Sequence, residues 1–182
     1  MDKARYIGLT ALCVAGLLAT TELQAATQGS LGATSTGSVA IGASVPNRVE
    51  LSGLTDVSFA NQDPATPALS AQNVCVWSNT STKGYNVTAS GSGTANAFTL
   101  ANGALTVPYS VEWSGTSGQS SGTALTSGTA LTGLKSTATN ATCAAGPSST
   151  ASLIVKMSTA SLQSMQAATT YTGTLTLVVA PE

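Results

Sequence analysis

The sequence lacks histidine and has few charged residues. Of its 182 residues, 6 are Lys or Arg and 7 are Asp or Glu, a charged fraction of 7% against roughly 25% in typical soluble domains. Without an imidazole there is no Ser–His or Cys–His nucleophile pair and no histidine ligand for a metal. The net charge of −1 offers no basic surface to neutralise phosphates, which argues against nucleic-acid binding.

Acidic residues are too few and too scattered to predict a catalytic pair. After residue 25 they are Glu50, Asp56, Asp63, Glu112 and Glu182. A glycosidase needs two facing carboxylates, and nothing in this spacing singles out a pair. We therefore expect no enzymatic activity, no cofactor and no metal site.

Long apolar runs are missing except near the N-terminus. Lys3 and Arg5 precede a mostly apolar stretch at residues 7–20, and Leu23 and Ala25 have the spacing of a signal-peptidase site. The stretch is shorter than the ~20 residues that a membrane span needs. We predict that residues 1–25 are a signal peptide and that the exported chain has no transmembrane segment.

Cysteine is scarce as well, and the predicted export bears on whether the remaining pair is oxidised. Cys13 lies in the predicted signal peptide, so the mature chain keeps Cys75 and Cys143. An even pair in an oxidising compartment predicts a disulfide. The alternatives are two buried free thiols or a two-cysteine metal site, which has no histidine or nearby carboxylate to complete it.

Short segments with alternating apolar and polar residues dominate what remains. They recur about every ten residues, are rich in Thr and Val, and are separated by Gly, Asn, Ser and Pro. This pattern predicts an all-β fold, an antiparallel sandwich of immunoglobulin-like type. The predicted strands cover residues 39–45, 48–54, 74–77, 85–89, 98–100, 105–113, 152–157 and 171–179, with an Asn-Gly hairpin turn at 102–103, a short helical turn within 158–165 and weak patterning at 115–133.

The two ends of the mature chain carry the main functional signal. Residues 39–45 alternate and are separated from the rest by Pro46, and the alternating run at 171–179 is followed by no further strand. An exposed apolar strand edge is an aggregation hazard that proteins cover or pair. One hypothesis is that the first segment of one molecule completes the sheet of the next by strand addition. Pairing of residues 39–45 within their own domain fits the pattern equally well.

Three segments resemble the pilins of the chaperone–usher pathway. "GSVAIGASVPNRVEL" is similar to the start of mature pilins of the alternate, colonisation-factor type. "LTVPYSVEWSG" is similar to a central pilin strand, and "TYTGTLTLVVAPE" to the C-terminal strand. The order of segments also resembles spore-coat-U-like archaic fimbrial subunits.

The resemblance implies a domain organisation and roles for named residues. It implies a signal peptide (1–25), an extension with the donor strand (26–46) and an incomplete pilin β-sandwich lacking its final strand (47–182). Val39, Ile41, Ala43 and Val45 would insert into a neighbouring subunit. The strand that accepts them, and that a periplasmic chaperone first caps, would present Tyr171, Leu175, Leu177 and Val179, with Glu182 as the chaperone's anchor.

The implied function is structural: a fimbrial subunit that polymerises by donor-strand exchange and serves adhesion or biofilm formation. Its partners would be identical or related pilins, the periplasmic chaperone and an outer-membrane usher. Its path would run through the periplasm to the surface of a Gram-negative bacterium. The alternative is a self-contained secreted β-sandwich that binds carbohydrate or forms a surface coat.

Overall fold

The computed structural model describes residues 25–182, and its regular structure is antiparallel β. The predicted signal peptide lies outside the described residues except for Ala25. The elements are β1 (Val49–Ser52), β2 (Ala68–Ser78), β3 (Gly84–Gly91), a 3-10 turn (Thr94–Asn96), β4 (Thr99–Asn102), β5 (Leu105–Pro108), β6 (Ser110–Ser114), β7 (Thr123–Ala124), β8 (Ala130–Lys135), β9 (Ala151–Met157), α1 (Thr159–Gln163) and β10 (Leu175–Pro181).

The described chain divides into two units between Val45 and Pro46. In the described part of the first unit, Thr27 and Ser38 form an isolated bridge through bonds of 2.8 and 2.9 Å. Residues 39–45 form no strand there, and Val39, Ile41 and Val45 are 70%, 91% and 82% exposed. The second unit, which we call the body, contains every strand named above.

The body is a sandwich-like arrangement of antiparallel sheets, as the alternating pattern predicts. One sheet has the order β1-β2-β9-β6-β7, a second has the order β10-β3-β8, and β4 and β5 form a separate hairpin. Side chains from β2, β3, β6 and β9 share one buried cluster. Within it, Trp113 of the first sheet donates its indole N–H to the Tyr85 hydroxyl of the second, at 3.2 Å. Through that bond the buried indole nitrogen of Trp113 and the buried hydroxyl of Tyr85 satisfy each other's hydrogen-bonding needs. Burial also raises the pKa of the Tyr85 hydroxyl.

Residues 123–135 close one side of the sandwich by passing from sheet to sheet. β7 pairs with β6, and the amide of Leu125 donates to the Val111 carbonyl. Gly128 then donates to the Ala89 carbonyl of β3, and β8 continues along β3. This crossing joins the edges of the two sheets on one side of the body.

The predicted disulfide is confirmed. Cys75 of β2 is bonded to Cys143, 68 residues later, in the loop between β8 and β9. The same loop is held by the Ser136 and Thr150 hydroxyls, which both donate to the carbonyl of Val76. The loop therefore packs on the core strand β2.

A salt bridge on the first sheet provides a pH-dependent contribution to stability. Lys156 of β9 lies 2.6 Å from the Glu112 carboxylate of β6, which also accepts a bond from the Gly122 amide. The hydrogen bond from Lys156, and then that from Gly122, lowers the pKa of Glu112 below its ordinary value. A lowered pKa stabilises the fold above the unfolded-state pKa of about 4.3, and that stabilisation is lost as pH falls through the folded-state pKa.

We therefore expect Glu112→Gln to lower the melting temperature at neutral pH and to lose less stability than the wild type on acidification. Thermal melts between pH 7 and pH 2 measure this, with Glu50→Gln as the control because Glu50 is exposed on β1. If the melting temperatures of the wild type and Glu112→Gln fall by the same amount between pH 7 and pH 2, the salt bridge does not provide the pH-dependent stability.

Among residues 25–182, no helix is long and apolar enough to cross a membrane.

Candidate acceptor cleft

A cleft of about 1090 Å³ lies in the body on the side not crossed by residues 123–135. Its first wall is the segment from Gln166 to Leu177, and its second wall is the segment from Leu54 to Pro64. Its floor is apolar. It is formed by Leu153, Val155 and Met157 of β9, together with Leu100 of β4, Tyr109 before β6 and Leu162 of α1. We call this space the acceptor cleft.

The first wall is the start of β10, a strand at the end of its sheet. Within residues 25–182, β10 pairs with β3 alone, through the register Leu175↔Gly91 to Pro181↔Tyr85. Leu175 and Leu177 are half-buried and alternate with exposed Thr176 and Val178. The apolar side chains therefore face the cleft and core, while the outer edge of the strand has no ladder neighbour in the described chain.

The second wall alternates like a strand over residues 56–60, although it belongs to no ladder in the described structure. Val57 and Phe59 are half-buried against the core, and Asp56, Ser58 and Ala60 are exposed. The start of this segment is held by the Gln72 side chain, which accepts from the Thr55 amide at 2.7 Å and donates to the Thr55 carbonyl at 3.0 Å. The amide group of Gln72 thus takes the place of a strand neighbour for Thr55.

The far end of the cleft is built around Tyr171, which is 7% exposed. It packs in a second apolar cluster with residues including Met157 and Leu162, and its hydroxyl accepts a bond from the Gln166 amide. The chain then turns onto the hairpin, because Thr172 exchanges two backbone bonds with Ala101. A Cβ added at Gly173 would lie 2.9 Å from the Thr99 carbonyl oxygen, so glycine permits this close approach.

The cleft is nearly uncharged. Of the residues that line it, Asp56 alone has a charged side chain, and it is exposed. Burial raises the pKa of the Tyr109 hydroxyl on the floor. Within residues 25–182 there is no cluster of three or more Cys, Asp or Glu side chains placed to hold a metal ion. The apolar floor and the uncharged polar walls therefore suit an extended segment that has apolar side chains and free backbone hydrogen-bonding groups.

The structure brings some of the predicted site residues together and separates others. Tyr171, Leu175 and Leu177 line the acceptor cleft. Val179 does not line the cleft, although it packs against the main core cluster as Leu175 and Leu177 do. The Glu182 carboxylate accepts a bond from the Gly133 amide of β8 at 2.8 Å. The strand predicted for 171–179 begins only at Leu175, because Thr172 pairs with the hairpin.

Sequence reasoning missed the second wall and the floor. Val57 and Phe59 lie two residues apart with Ser58 between them, and this short alternation could have identified the wall. No local signal could have shown that Gln72 anchors this wall or that β9 forms the floor, because both depend on strand neighbours distant in sequence.

No protein-family model matches the chain, and no curated protein is similar enough in sequence to serve as a relative.

Proposed function

We propose that this chain is an incomplete immunoglobulin-like pilin, the structural subunit of an extracellular fimbria, and that it polymerises by donor-strand exchange. Residues 39–45 of one subunit insert into the acceptor cleft of the next. Such a head-to-tail contact does not close on itself and so generates a filament. The subunit reaches the cell surface of a Gram-negative bacterium through a periplasmic chaperone and an outer-membrane usher.

The observation that carries this proposal is the cleft with an apolar floor that opens beside the start of β10. Both walls alternate like strands, and the edge of β10 offers backbone groups to a new neighbour. Adding a strand to such an edge satisfies these groups and removes an aggregation hazard. A chaperone that covers the cleft during export serves the same need.

Residues 39–45 have the properties that this cleft requires. Val39, Ile41, Ala43 and Val45 fall on one face of an extended chain. Burying an aliphatic side chain contributes about 1–3 kcal/mol and each new hydrogen bond about 0.5–1.5 kcal/mol. Together they can offset the roughly 4–15 kcal/mol that association costs and leave a contact that dissociates slowly.

The purified mature protein tests the proposal. We expect it to form ladders on an SDS gel without boiling and to run as a monomer after boiling. A chain lacking residues 26–45 should form no ladder and should be less stable in solution, because its cleft stays open. If the shortened chain remains a soluble monomer of unchanged melting temperature and the mature chain makes no ladder, the self-contained binding module becomes the better explanation.

A further inference from the structure

Asn79, directly after β2, makes three hydrogen bonds to the start of the body. Its side-chain oxygen accepts from the Arg48 amide at 2.6 Å, and its side-chain nitrogen donates to the Pro46 carbonyl at 2.9 Å. Its backbone amide donates to the Arg48 carbonyl at 3.1 Å. Residues 46–48 are the connection between the extension and β1, so Asn79 holds that connection.

These bonds prolong the ladder between β1 and β2. The ladder begins with Val49 opposite Ser78, so the next pair is Arg48 opposite Asn79. The Asn79 side chain accepts the Arg48 amide in place of a backbone carbonyl and also reaches Pro46, whose only backbone hydrogen-bonding group is its carbonyl. Residues 46–48 are therefore held in line with β1.

The alternative path for this connection is a tight reversal. β1 begins at the end of the body where β10 finishes: Ser78 and Glu182 both donate bonds to the Gly84 carbonyl. For residues 39–45 to enter the cleft of their own subunit, the chain would have to turn back within residues 46–48. Val45-Pro46-Asn47-Arg48 suits a type I β-turn, with proline second and asparagine third. The turn would direct the Arg48 amide at Val45 and break the Asn79 bonds.

The direction of residues 46–48 matters because it decides whether residues 39–45 can reach the cleft of their own subunit. A strand tethered next to its own cleft has an effective concentration in the millimolar range if the linker can span the distance, and close to zero if it cannot. At micromolar subunit concentrations an unrestrained extension would enter its own cleft and end the filament. A held connection leaves the strand to a second copy.

We propose that Asn79 is the positioning residue that selects assembly between subunits over closure of a subunit on itself. The proposal rests on the proposed function. The hydrogen bonds of Asn79 hold residues 46–48 in line with β1 and so disfavour the reversal. Self-closure would break one to two net hydrogen bonds, which reduces its equilibrium constant about tenfold.

Cross-linking separates the two outcomes. The probe is the mature chain with Gly42→Cys and Thr176→Cys, treated with a short bis-maleimide. Space around Gly42 is open, Thr176 is exposed on β10, and the native cysteines are bonded to each other. Insertion between copies gives cross-linked ladders. Self-closure gives a cross-linked monomer, recognised by its mass and by a yield that does not fall on dilution.

We expect Asn79→Ala to raise the ratio of cross-linked monomer to ladder about tenfold. Asn79→Asp, which keeps the acceptor for Arg48 but loses the donor to Pro46, should give an intermediate ratio. The matched control is Asn73→Ala. Asn73 also lies on β2 but bonds to Gly118 and Ser152, far from residues 46–48 in the sheet. This variant should leave the ratio of cross-linked monomer to ladder unchanged. All variants are compared below their melting temperatures.

The results distinguish the two proposals. Ladders with the same monomer ratio in the parent, Asn79→Ala and Asn73→Ala would overturn the role of Asn79 and leave donor-strand exchange standing. A parent that cross-links in neither way would overturn both.

Discussion

Replacing Ile41 with aspartate is expected to abolish ladder formation while leaving export and the fold of the body intact. Ile41 is 91% exposed in the free chain, so the substitution costs the monomer nothing in packing. In the proposed complex its side chain enters an apolar cleft. Losing its burial costs about 1.5–3 kcal/mol, and burying a carboxylate costs several more. A total of at least about 4 kcal/mol weakens insertion about a thousandfold.

Leu31→Asp is the matched control for this variant. Leu31 is as exposed as Ile41 and lies in the same extension, but outside residues 39–45. We expect normal ladders from Leu31→Asp. Normal ladders from Ile41→Asp, or loss of ladders from both variants, would contradict the assignment of residues 39–45 as the inserting strand.

A peptide should rescue the cleft of the Ile41→Asp chain. A peptide of residues 38–46 present at 100 times its Kd stabilises the folded state by about 2.7 kcal/mol. For a chain of this size that raises the melting temperature by about 5–10 °C. The same peptide carrying aspartate at position 41 should have no effect. Equal shifts with both peptides would show that the stabilisation is not due to insertion.

Removing the disulfide is expected to have the other large effect, on stability rather than on assembly. Cys75 and Cys143 close a loop with a sequence separation of 68. On the chain-entropy model, a cross-link of that span stabilises the fold by about 4 kcal/mol. The double variant Cys75→Ser, Cys143→Ser should therefore melt about 8–16 °C below the wild type.

The position of the disulfide gives this prediction a second part. It joins β2 to the loop after β8, and its cysteines form a cluster with Ala138 and Trp77, apart from the lining of the acceptor cleft. Below its melting temperature, the double variant should still form ladders. A stable double variant that forms none would assign the disulfide to assembly instead.

Sequence patterns predicted the strands that pack on one another in the core. β3 and β9 lie where the alternation placed them. The predicted hairpin is present, but its turn is one residue later than predicted, at Gly103-Ala104, because Asn102 pairs with Leu105. The cysteine pair was recognised because removal of the predicted signal peptide would leave two cysteines, with no histidine or nearby carboxylate to complete a metal site. These features depend on local chemistry: which residues can be buried, which can turn and which can be oxidised.

Other boundaries differed because partners distant in the chain override local pattern. β2 begins at Ala68, earlier than its apolar run at 74–77, because β9 pairs along its first seven residues. The weakly patterned stretch at 115–133 contains β7 and the start of β8, which are ordered by pairing with β6 and β3.

The sequence by itself determined the all-β class, the covalent link between Cys75 and Cys143, and the alternation of apolar residues in segments 39–45 and 171–179. Those properties follow from residue types and a period of two, which are local. The tertiary structure alone decided that β10 lies at the end of its sheet, that residues 54–60 face it across a cleft, and that Asn79 holds the connection. Strand order depends on which distant segments pair, and the alternation within one strand contains no information about its neighbours.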